Sequence, residues 1–106
     1  MNNALAKTQG PIVPVPRFYM IDSRNKLRMS AEEVSRKLGL GKVYYYQIEN
    51  GQRGNRMGAP LMYRLIKVLE MDAIKFLECE IEHERMCKKI NGRNKKNAKW
   101  YFKYII

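Results

Sequence analysis

The residues best equipped for chemistry lie close together. Lys42, Tyr44, Tyr46, Gln47 and Asn50 fall within nine positions, and Arg53 and Arg56 follow in a polar, glycine-rich stretch. A lysine ammonium hydrogen-bonds a guanine edge and a glutamine amide an adenine edge, each good pair discriminating by about 1–3 kcal/mol. On a helix these side chains form an outward face, with Tyr45 turned inward because consecutive helical residues stand about 100° apart. Tyr44 and Tyr46 are then exposed, able to donate to a phosphate or to pack on a thymine methyl. An exposed aromatic pair equally suits a protein-binding face.

The remaining reactive residues make no comparable set. Cys79, His83 and Cys87 stand four residues apart, but ligands so spaced spread along a helix and cannot all reach one ion at about 2.0–2.3 Å. They are expected on a solvated face, with no metal held. On one helix the two cysteines are about 12 Å apart at 1.5 Å per residue, too far to bridge. A single histidine, with no paired carboxylates flanking a cleft, no glycine-rich phosphate loop and no Ser/His/Asp set, argues against an enzyme. No cofactor is implied.

The positioning elements can be read around that face. Ser30-Ala31-Glu32-Glu33 is a capping box that starts a helix, and Val34 and Leu38 fall on its inner side. Gly39 ends it, and a second short helix starts near Gly41-Lys42, with Leu40, Tyr45 and Ile48 inward and Gly51 able to stop it. Two short helices joined by a glycine turn form a helix-turn-helix unit, whose exposed second helix can enter a major groove. A helix over about 17–28 supplies the third element. Ala59-Pro60 opens a largely buried helix running to about Met71. Asp72 caps a last helix, with Ile74, Phe76 and Leu77 toward the core, continuing mostly solvated to about Ile90. Gly10 to Pro16, with three prolines, reads as an extended arm, and a loose tail is preferred to an arm gripping DNA or a partner chain. Trp100 to Ile106 is aromatic and β-branched enough for a strand.

The net charge of +11 on 106 residues points to polyanions, nucleic acid first and acidic membrane surface second. The balance is +4 over residues 1–29, +2 over 30–58, zero over 59–90 and +5 over 91–106. The basic cluster at 93–103 is either an aid to phosphate binding or a solubilising tail. No stretch approaches the roughly 18 apolar residues of a bilayer span, and MNNALAKTQG has no signal pattern. A cytoplasmic protein with no membrane partner is expected.

The stretch from Ser30 to Gly51, with Leu-Gly-Leu at 38–40 and Gln-Ile-Glu-Asn-Gly at 47–51, resembles the Cro/repressor type of helix-turn-helix domain. This is the Xre-like family of phage and bacterial regulators, and the likeness runs from about Arg17 to Leu77. It implies that Lys42, Val43, Tyr46 and Gln47 face base edges of double-stranded DNA, while Tyr44, Asn50, Gln52, Arg53 and Arg56 lie against phosphates. It also implies that Glu49 pairs with Arg24, anchoring the groove-entering helix from behind. The chain departs from the family at Ala31, where a phosphate-touching glutamine is common, and in a longer loop after Gly51. Glu70 replaces a usual glycine and is expected to let its helix run on.

These readings converge on an all-α, compact five-helix, lambda-repressor-like domain over 17–78. An extended arm at 1–16 precedes it, and a C-terminal helix extension with a basic, aromatic tail at 79–106 follows as a candidate dimerisation segment. The expected function is a sequence-specific transcription regulator, a repressor of phage or mobile-element type. One short reading helix spans few base pairs, so a homodimer on two half-sites is expected. The alternative keeps the fold but uses Tyr44 and Tyr46, or the 100–106 segment, to bind a protein, as an antitoxin or inhibitor of a host factor would.

Overall fold

Ser30 Oγ accepts the Glu33 amide at 3.1 Å while Glu33 Oε1 accepts the Ser30 amide at 3.4 Å, which closes the capping box and starts a helix at Ala31. The computed structural model describes residues 13–92, and over them run five helices and no strand. These are α1 (Phe18–Lys26), α2 (Ala31–Leu38), α3 (Lys42–Glu49), α4 (Ala59–Leu69) and α5 (Ala73–Asn91). The basic cluster at 93–103, the strand expected at 100–106 and the arm before Val13 lie outside the described residues.

α2 ends at Gly39, whose φ of 73° is the left-handed conformation that glycine adopts without a Cβ clash. That turn sets α3 across α2. Val34, Leu38, Tyr45 and Ile48 from this pair meet Met20 of α1, Leu65 and Leu69 of α4 and Phe76 of α5 in one core. Tyr19 packs edge-on against Phe76, ring centroids 5.6 Å apart. Asp72 caps α5 by accepting the Lys75 amide at 3.0 Å.

Three expectations change here. α4 does not run on past Glu70: that residue takes φ 52°, and the Met71 amide bonds back to Ile66 O at 3.1 Å, so a glutamate does the work usually given to glycine. On α5, Ile74 and Leu77 are exposed, because the inward face is set by Phe76, Glu80 and His83 at helical spacing. His83 is buried rather than solvated, its Nε2 donating to Val15 O at 2.7 Å.

That bond belongs to an unexpected feature. Residues 13–17 form a strap along α5 instead of a loose tail. The Asn91 side chain accepts from the Val13 amide at 2.6 Å and donates to Val13 O at 2.9 Å, and Val15 and Arg17 are buried. The prolines dictated extension, and α5 supplies the surface that receives it.

Candidate nucleic-acid interface

α3 divides sharply into two faces. Tyr45, Ile48 and Glu49 are buried, whereas Lys42, Val43, Tyr44, Tyr46 and Asn50 are exposed and Gln47 is half-buried. Val43 is 66% exposed, which no packing within the domain requires. The helix starts at Gly41 with no side-chain cap, so its first amides are left for solvent or for an anion.

The buried face is braced by charge. Arg24 donates through Nε and Nη2 to the two oxygens of Glu49 at 2.6 and 3.1 Å, and through Nη1 to Met29 O at 3.2 Å. Tyr45 Oη donates to the same carboxylate at 3.0 Å. The hydrogen bond to Glu49 holds the Arg24 guanidinium above its ordinary pKa, and burial followed by the Glu49 charge pushes the Tyr45 phenol up. Glu49 therefore has its bonds satisfied behind α3, turned away from the exposed side.

The C-terminal end of α3 accounts for all four of its last carbonyls. Tyr46 O accepts from the Asn50 amide, and Gln47 O from those of Gln52 and Arg53. Ile48 O accepts from the Gly51 amide and from Arg17 Nη1, and Glu49 O from the Arg17 amide at 2.7 Å. The loop that follows carries Gln52, Arg53 and Arg56, all exposed. Arg53 Nε donates to Gln47 Oε1 at 2.5 Å, and its guanidinium lies 5.6 Å from the Tyr44 ring centre. The structure thus gathers Tyr44, Gln47 and Arg53 into one group, while Arg56 stands farther along the loop.

An open groove of about 690 Å³ runs beside this group, lined by Tyr44, Gln52, Arg53, Arg56 and Arg64 among others. Arg64 is a residue that sequence reasoning passed over. Its Nη1 donates to Leu38 O at 2.8 Å at the end of α2, which leaves a cation at the groove edge. Arg17 and Glu80 were also missed. Among the described residues no cluster of three histidine, cysteine or acidic side chains could hold a metal, and no helix is long and apolar enough to cross a membrane. Burial raises both the Cys79 and Cys87 thiols, the opposite of what a reactive thiolate needs.

Compared with known families, residues 21–72 match a helix-turn-helix family, a segment running from within α1 to the Asp72 cap of α5. No curated protein and no solved structure matched the chain. The matched segment contains the capping box, the Gly39 turn, the braced α3 and the α4 that packs behind them. Residues 21–72 are thus a helix-turn-helix domain of the Xre, lambda-repressor-like type, a family of DNA-binding regulators.

Proposed function

We propose that the protein is a sequence-specific transcription regulator, a cytoplasmic repressor of phage or mobile-element type, that reads the major groove with α3. Lys42, Val43, Tyr46 and Gln47 meet base edges. Tyr44, Asn50, Gln52, Arg53 and Arg56 meet phosphates, and Arg24 with Glu49 holds the helix at its angle. The observation that carries this reading is the division of α3: a back fixed by a buried ion pair and a front left exposed, with arginines beside it. A buried carboxylate behind the helix keeps negative charge off the face that approaches DNA.

Specificity over useful lengths requires a second half-site about one helical turn away, hence a homodimer. Selection of bound sites from random duplex DNA tests the reading, and an inverted repeat is the expected product. Lys42→Ala with Gln47→Ala should then lower affinity for the selected site at least about thirtyfold, at about 1–3 kcal/mol for each of the two lost pairs, and leave non-specific binding nearly unchanged. A second reading draws on the exposure of Val43, Tyr44 and Tyr46, which suits a protein partner. Unmodified protein that prefers no DNA sequence at all would favour it.

A further inference from the structure

Arg17 lies in no helix and outside the matched segment, yet it is 1% exposed. Its guanidinium makes four hydrogen bonds. Nε and Nη2 donate to the Glu80 carboxylate at 2.6 and 3.2 Å, and Nη1 donates to Ile48 O at 2.7 Å and to Arg53 O at 2.8 Å. One planar fork therefore joins α5, the end of α3 and the loop after it, which an ammonium on a single point could not do. Among the described residues, Arg17 supplies the one side chain from outside residues 47–58 that bonds to the backbone of the 51–58 loop.

The close fit is visible in the loop itself. A Cβ on Gly54 would come within 3.2 Å of two guanidinium nitrogens, and one on Gly51 would come within 2.0 Å of Val15 O. Both glycines thus sit where strap and loop meet. Tyr19 Oη donates to the same Glu80 carboxylate and completes its shell. A buried ion pair of this kind is seldom the cheapest way to gain stability, since apolar residues of similar volume often serve as well. What the fork adds is a fixed position for Arg53 relative to α3.

We propose that Arg17, held by Glu80, is a positioning residue for DNA binding: it sets the 51–58 loop on α3 so that Arg53 and Arg56 meet phosphates in register with the reading helix. This rests on the assignment of that face to DNA. The strap and α5 then belong to the binding apparatus although neither touches the duplex.

The test uses the full chain with Glu80→Gln, Arg17→Lys and Tyr19→Phe. Two quantities are measured for each folded protein: amide hydrogen exchange in the 51–58 loop relative to core amides of α2 and α4 without DNA, and the salt dependence of binding to the selected duplex. Glu80→Gln and Arg17→Lys should speed loop exchange at least tenfold relative to the core. They should weaken duplex binding about tenfold and lower the log-log salt slope by roughly one to two, at about 0.9 per phosphate contact. Tyr19→Phe leaves the fork in place and should move neither quantity. The proposal falls if Glu80→Gln lowers stability while loop exchange and salt slope stay at their original values, or if Tyr19→Phe shifts both equally. Should Glu80→Gln fail to fold, Glu80→Asp draws the carboxylate back from the guanidinium without touching the loop and is read by the same criteria. Loosening of the loop in a chain whose unmodified form binds no duplex would keep the loop assignment and overturn the DNA reading beneath it.

Discussion

Two arginines hold α3 from behind, and they do so in different ways. Arg24 reaches from α1 to a side chain of α3, and its own side chain stays 17% exposed. Arg17 reaches from the strap to backbone carbonyls, and its side chain has no exposure at all. The first brace sits inside the matched helix-turn-helix unit, residues 21–72, and fixes the angle of α3. The second ties the end of that helix to Glu80 of α5, which lies 63 residues along the chain from Arg17. An orienting brace can be local, whereas securing a loop that lacks secondary structure draws on chain from outside the unit.

The largest expected effect sharpens this contrast. Arg17→Met leaves Glu80 short of its ion partner and strips Ile48 O and Arg53 O of a donor, so it should cost about 3–5 kcal/mol. Arg24→Met leaves Glu49 with the Tyr45 hydroxyl and opens a site that solvent already reaches, so it should cost about 2–3 kcal/mol. Urea unfolding of the two variants measures both. A larger loss for Arg24→Met would reverse the ranking and place the main anchor inside the unit.

The difference between the braces is also a difference in legibility. Ser30 and Glu33 announce the start of α2, Gly39 its end, and the 100° step along α3 separates Tyr45 and Ile48 from their neighbours. The Arg24 to Glu49 pairing followed from likeness to a family whose pattern covers both residues. Nothing comparable marked Arg17 and Glu80, because no local spacing relates a residue after Pro16 to one in the middle of the last helix. The available signal was the run Phe76, Glu80, His83 and Cys87 at helical spacing, which defines the inward face of α5. Ile74, Leu77 and Ile81 compete with it as an apolar stripe and point the wrong way: all three are exposed. A polar inward face is intelligible only once the strap is in place, since Val15 O and Arg17 are what His83 and Glu80 bind.

Two glycines carry the same contrast at smaller scale. Gly39, at φ 73°, closes the turn inside the unit, and the nearest atom to an added Cβ is Arg64 Nη1 at 3.9 Å. Gly51, at φ 89°, faces the strap, where a Cβ would fall 2.0 Å from Val15 O. Gly39→Ala should therefore cost only the left-handed penalty of about 1 kcal/mol. Gly51→Ala adds displacement of the strap to that penalty and should exceed about 2 kcal/mol. Thermal unfolding of the pair decides the matter: equal losses would mean that the strap yields freely and holds little.

The smallest effect is a gain, and it falls at the joint between α4 and α5, where neither brace acts. Glu70 is exposed and sits at φ 52°, a conformation that costs a residue with a Cβ about 1–2 kcal/mol. Its carboxylate also stands at the negative end of α4. Glu70→Gly removes both penalties and adds unfolded-state entropy, for a net gain of about 0.5–1 kcal/mol. Arg28, at φ 58° after α1, is the natural control. Its cation favours a helix C-terminus, so Arg28→Gly forfeits that attraction and should gain less. Both are read as shifts in melting temperature with loop exchange at 51–58 unchanged. A gain at Glu70 accompanied by faster loop exchange would mean that the α4 to α5 joint feeds into the Arg17 brace, and that the two regions are not independent.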